Sequence, residues 1–141
     1  MDLTTALEWA AQRHNGVLIT IRADGRAQSS DISHVVQDGA FVISVTDDRA
    51  KTRNMRRDPR VVVHITDPGS WSYVAFDGIA ELSPVAAAAD DATCDRLVAY
   101  YRGVTGGEHP DWDDYRRAMI ADRRLTVRVA PTNVVGQIRG A

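Results

Sequence analysis

The chain has 141 residues, 44% of them hydrophobic and 26% charged, and a formal net charge of −2. That length suits one domain (1–141) with a real core, and the slightly acidic total speaks against a general nucleic-acid binder. No apolar run approaches the ~18 residues of a membrane span, Met1 to Ala11 lacks the basic start of a signal peptide, and a lone cysteine, Cys94, makes no internal disulfide, as expected in the cytoplasm.

Leu3, Leu7, Ala10 and Ala11 at helical spacing predict a first helix, with Thr4 or Thr5 as N-cap and a stop near Gly16. Gly16 to Arg22 is β-branched and apolar, a strand, and Asp24-Gly25 is a hairpin signal. Arg26 to Val36 reads as one returning strand, Gln37-Asp38-Gly39 as a second turn, and Ala40 to Thr46 as a third strand. A short basic helix follows, capped by Asp47 or Asp48 and ended by Pro59. Val61 to Thr66 is a continuous apolar run, expected to be covered on both faces. After the turn at Asp67-Pro68-Gly69, Trp71 to Leu82 is a fifth strand with Asp77-Gly78 as a candidate bulge. Pro84 to Gly103 is alanine-rich and helical. Asp111 caps a helix that reaches Ala121, and Leu125 to Ala130 is a last strand, prolonged by Asn133 to Ile138 beyond Pro131. Six strands with hairpin turns and a late return strand predict a mainly β (α+β) protein, an antiparallel sheet closed into a small barrel with short flanking helices.

Chemistry concentrates between Arg49 and Arg60, where six of twelve residues are basic and Lys51 is the chain's only lysine. Spacing alone leaves two readings, a solvated helix face or an anion site. Arg49 and Lys51 fall at the helix start, where free N–H groups and the dipole favour an anion. Two basic side chains there suit a phosphate. Asn54 adds an amide. The four histidines show no zinc spacing, and no metal site is expected. Asp111, Asp113 and Asp114 read as N-terminal helix charges, and Cys94 as a buried filler. Trp71 has the flat face to stack on a ring, or equally to fill a subunit interface or a core.

The order strand (Phe41 to Thr46), Asp48-Arg49-Ala50-Lys51-Thr52-Arg53-Asn54, Arg57-Asp58-Pro59-Arg60, apolar strand (Val61 to Ile65) resembles the pyridoxamine 5′-phosphate oxidase-like split β-barrel proteins. Gly16-Val-Leu, the Asp24-Gly25-Arg26 hairpin, Trp71-Ser-Tyr and Gly78 with Ala80-Glu81-Leu82 agree. Trp112-Asp-Asp-Tyr-Arg116 and Asp122-Arg-Arg124 are similar to the branch that uses the deazaflavin coenzyme F420.

The resemblance implies a six-stranded FMN-binding-type split barrel and a homodimer with cofactor sites at the subunit interface. It places Arg49 and Lys51 on the cofactor phosphate with Asn54 nearby. Val45 and Thr46 would lie along the ring, and Gln28 and Ser30 would contact the ring or ribityl chain. Trp71 would come from the neighbouring subunit. Arg53, Arg56 and Arg57 are surplus cations for the coenzyme's polyglutamate tail. The implied activity is hydride transfer between coenzyme F420 and a small unsaturated molecule. The alternatives are an FMN-binding flavoprotein or a non-catalytic F420 carrier. No general acid is identifiable.

Overall fold

The computed structural model describes residues 1–140. Their order is α1 (Leu3–Ala11), β1 (Asn15–Ile21), β2 (Ala27–Ser33), β3 (Val35–Gln37), β4 (Ala40–Thr46), α2 (Ala50–Arg57), β5 (Arg60–Asp67), a 3₁₀ turn (Pro68–Ser70), β6 (Ser72–Leu82), α3 (Ala92–Thr105), α4 (Trp112–Ala121) and β7 (Arg124–Gln137). All seven strands form one antiparallel sheet in the order β2-β1-β5-β6-β7-β4-β3. β2 and β3 therefore occupy opposite edges, yet only His34 separates them in the chain. The sheet must curl until its edges meet. Among the described residues β2 pairs only with β1, so the edges meet without a ladder and the barrel stays split.

The single strand expected from Arg26 to Val36 is thus two, and the sheet has seven strands instead of six. His34 is the reason. Its N–H donates to His14 O at 2.9 Å, and its buried ring packs edge-on against Phe41 at 5.3 Å. Anchoring that residue inside turns the chain from one edge of the sheet to the other.

The barrel interior holds Leu18, Phe41, Ile43, Val63, Ile65, Phe76, Leu125 and Val127, with Ala6 and Ala10 of α1 closing one end. A second small cluster, Ala86, Cys94 and Leu97 with Tyr115, Met119 and Ile120, seats α4 on α3. β5 alternates: Val61, Val63 and Ile65 are buried, while Val62 and His64 are half-buried. Its outer face is therefore less covered than its apolar run implies.

The bulge at Asp77-Gly78 is present: Asp77 faces Asn133, Gly78 faces Pro131, and Thr132 is skipped. Proline has no N–H to give a ladder, so it belongs where the ladder is interrupted. That is why β7 runs through Pro131 as one strand.

Helix starts differ from expectation. Asp2, not Thr4 or Thr5, caps α1 by accepting from Thr5 N–H, and α1 stops at Ala11 rather than near Gly16. Asp91 accepts from the N–H groups of Ala87, Ala88 and Cys94, holding Pro84 to Asp91 out of the helix, so α3 begins at Ala92. Asp111 caps α4 through Asp114 N–H. No helix among the described residues is long and apolar enough to cross a membrane.

Candidate functional site: a cationic cleft at the split

β4 pairs with β3 only from Ala40 to Val42, which leaves Ile43 to Thr46 with one free edge beside the split. α2 is seated there. Thr52 Oγ1 donates to Thr46 O at 2.7 Å, and Arg49 N–H to the same carbonyl at 3.3 Å. Arg49 occupies the N-cap position with no side-chain cap, instead of Asp47 or Asp48. Asp48 accepts from Thr46 Oγ1 at 2.8 Å. Asp47 accepts from Arg56 at 2.6 Å and Arg123 at 3.0 Å, tying the entry of α2 to the start of β7.

The result is a cleft of about 450 Å³ lined by Gln28, Ser30 and Asp31 of β2 and by Arg49, Ala50 and Lys51 at the head of α2. Lys51 is half-buried. Burial lowers its pKa, and the Arg49 and Arg124 guanidinia lower it further. None of these three cations is in an ion pair among the described residues. Eight other arginines are: Arg13, Arg22, Arg56, Arg60, Arg102, Arg116, Arg117 and Arg123.

Behind the cleft lies a polar network. Asn54 Nδ2 donates to Thr20 Oγ1 at 3.1 Å and Gln28 Oε1 at 3.3 Å, and Asn54 Oδ1 accepts from Arg57 at 2.7 Å. Thr20 Oγ1 donates to Gln28 Oε1, and Gln28 Nε2 to Ser30 Oγ at 2.9 Å. This network fixes the amide of Gln28 and the wall that β2 offers the cleft.

The structure thus brings Gln28, Ser30, Arg49 and Lys51 together, with Asn54 and Thr46 behind them. Val45 does not join them: its side chain is in the barrel core at 1% exposure. The parity of β4 turns Val45 inward and Thr46 outward. Trp71 does not line the cleft of its own chain; it is 79% exposed, at a positive φ of 56°.

The surplus arginines are engaged internally. Arg53 donates to Asp48 O at 2.6 Å, Arg56 to Asp47, and Arg57 to Asn54 and to Ile21 O. These bonds hold α2 in place, and all three residues remain exposed at the surface. Sequence reasoning missed Thr20, Thr52 and Arg124. Thr20 and Thr52 are common residues whose roles lie in hydrogen bonds formed only on folding, Thr20 to Gln28 and Asn54 and Thr52 to the Thr46 carbonyl. Arg124 falls in the Asp122-Arg-Arg124 stretch that carries the resemblance, where no local pattern marks its nearness to Lys51.

Two tyrosines over the outer face of β4 and β7 have committed hydroxyls: Tyr100 donates to Ser33 O at 2.8 Å and Tyr115 to Leu97 O at 2.9 Å. Burial raises both pKa values, that of Tyr115 to about 12. Neither is set up as a proton donor. Cys94 is buried, and burial with Asp91 nearby pushes its thiol to about 11, far from a nucleophile's range. Among the described residues no group of three His, Cys, Asp or Glu is arranged to hold a metal.

The family model for pyridoxamine 5′-phosphate oxidase matches residues 4–135. The chain belongs to the pyridoxamine 5′-phosphate oxidase family. Solved structures share the fold at low identity. A conserved hypothetical protein from Mycobacterium tuberculosis is 22% identical with a TM-score of 0.76, over 96% of this chain and 84% of that one. An F420 reductase is 23% identical with a TM-score of 0.66, over 91% and 94%. A heme storage protein from Vibrio cholerae is 17% identical with a TM-score of 0.69, over 99% and 96%. In this pyridoxamine 5′-phosphate oxidase family chain the cleft lies where the barrel is split and the helix after β4 begins.

Proposed function

We propose that this protein is a reductase that passes hydride between coenzyme F420 and a small unsaturated organic molecule. The observation that carries the reading is the donor set of the cleft: Arg49 and Lys51, unpaired with any carboxylate among the described residues, at a helix head. The N–H groups of Ala50 and Lys51, in the first turn, also lack intrahelical acceptors. Such a set fits a phosphate ester. The match to an F420 reductase, like the family membership, supports a redox cofactor as the owner of that phosphate.

Arg49 and Lys51 would hold the phosphate. Gln28 and Ser30, fixed by Asn54 and Thr20, would border the chain that leads away from it. Thr46 would present its outward side beside Arg49. Trp71, exposed and remote from the cleft of its own chain, is assigned to the cleft of a second copy, so the working unit is a homodimer. The deazaflavin supplies the hydride when bound; the protein orients it against substrate and keeps water out.

FMN is the alternative cofactor, because a phosphate clamp selects the phosphate and not the ring. A non-catalytic F420 carrier is the other alternative. Equilibrium titration of the purified protein with F420, FMN and hemin, followed by a reductase panel, decides. F420 binding with turnover is expected. Binding of FMN or hemin without F420 sinks the reading, and F420 binding without turnover across the panel leaves a carrier.

A further inference from the structure

We infer that Arg124 is the third cation of the phosphate clamp, reaching it from the sheet while Arg49 and Lys51 reach it from the helix. This rests on reading the cleft as a phosphate site. Arg124 opens β7 directly across from Thr46 in the register. The Thr46 carbonyl is the one that receives the Thr52 hydroxyl and the Arg49 N–H, so the first turn of α2 sits on the residue beside Arg124. Arg124 shares the outer face of β4 and β7 with Ser44, to which its Nη1 donates at 3.3 Å. Its Nε is buried and has no hydrogen-bond partner. No hydrogen bond among the described residues uses its Nη2 either, so the edge of the guanidinium that grips two oxygens is uncommitted. A buried charged N–H without a partner is costly, and proteins keep such groups where something else satisfies them.

The neighbouring charges sharpen the point. Arg49 and Lys51 are positive, and Arg124 is among the causes that lower the pKa of Lys51. The carboxylates at hand are Asp31 on the rim of the cleft, Asp48 beside Thr46, and Asp47, which is occupied by Arg56 and Arg123. Tyr100 and Tyr115 cover the same face with their hydroxyls committed elsewhere. Three like charges gathered without a paired carboxylate suit a phosphate group, whose anionic oxygens accept from several donors at once.

The test uses the full chain and inorganic phosphate as probe, followed by F420 and FMN. Wild type, Arg124→Gln, Arg124→Lys and Arg128→Gln, a control on the exposed part of the same strand, are titrated by calorimetry and thermal shift. Arg124→Gln is expected to weaken phosphate binding about tenfold or more, and Arg124→Lys less, since a point charge replaces a fork. Arg128→Gln should bind as wild type does. A second readout separates contact from scaffolding: Arg124→Lys, which keeps the charge, should recover part of the binding that Arg124→Gln loses, while both variants keep the wild-type thermal midpoint without phosphate. Wild-type phosphate affinity in Arg124→Gln overturns the inference, as does a loss of binding that Arg124→Lys does not recover in part. A wild type that ignores phosphate overturns both this and the cofactor reading. Phosphate binding without F420 or FMN binding sinks the cofactor reading alone, and the Arg124 comparison still stands.

Discussion

Lys51 is held half out of water beside two guanidinia, and its ammonium gives up its proton below the usual lysine range of ~10.4. The charged form is the one that meets a phosphate. Coenzyme affinity should therefore fall as pH rises through that lowered value, and fluorescence titration across pH 7 to 10 measures it. Lys51→Gln should flatten the alkaline limb and lower affinity ~10-fold at neutral pH, the loss of one charge-assisted contact. Asn54 answers to a different rule. Its amide satisfies Thr20, Gln28 and Arg57 at once, so Asn54→Ala strands buried partners. Chemical denaturation should show a loss of about 1–3 kcal/mol. His34 titrates the other way from a paired histidine. Burial lowers its pKa and favours the neutral ring in the fold, while the unfolded chain takes up a proton near ~6.5. Stability is thus full above that value and is lost as pH falls through it toward the lower folded pKa. Denaturation series at pH 7.5 and 5.5 should differ more for wild type than for His34→Gln.

Local signals decided which elements could be read in advance. Asp77-Gly78 combines a residue that tolerates a turn with one that lacks a Cβ, and the bulge is there. A Cβ on Gly78 would sit 2.5 Å from Val129 Cγ1 and 3.0 Å from Ala130 O. Gly78→Ala should therefore cost about 1–3 kcal/mol by overpacking, a drop visible as a lower thermal midpoint. The head of α2 was legible for a similar reason: a basic run after an apolar strand, closed by Pro59. What escaped depended on side-chain partners that residue type alone does not reveal. Four consecutive alanines from Ala86 to Ala89 have the propensity for helix, but Asp91 takes the N–H groups of Ala87 and Ala88, the Arg124 carbonyl takes that of Ala86, and α3 is delayed. The break at His34 needed knowledge of His14 and Phe41, far along the chain. In β4 nearly every side chain is buried, because the barrel core takes one face and α3 covers the other. Alternation then says nothing about direction, and Val45 was assigned to the ring while its side chain lies in the core.

At the scale of the molecule, hairpin turns and short strands were enough for the barrel class, while an assembly surface is something no local pattern marks. The outer face of β1, β5, β6 and β7 carries Val17, Ile19, Ile21, Val62, Ile79 and Val135 in adjoining register. Ile79 and Val135 are 47% and 57% exposed, and Tyr73 stacks on His64 beside them. Large aliphatic groups on neighbouring strands, interspersed with Arg60, Asp77 and Asn133, give this face the mixed apolar and polar character of surfaces that subunits cover. Trp71 lies at its end, next to Tyr73. If two copies meet on this face, the cleft is finished by a residue from the other chain, and assembly and coenzyme binding must fail together. Light scattering on the wild type should give twice the chain mass. Ile79→Glu with Val135→Glu should give the monomer mass with an unchanged far-ultraviolet spectrum, and should lower coenzyme affinity without touching Arg49 or Lys51. Trp71→Ala should keep the dimer and still weaken binding. A wild-type monomer that binds the coenzyme as tightly as a dimer would be expected to would remove Trp71 from the site and leave the split, with its three cations, as the whole of it.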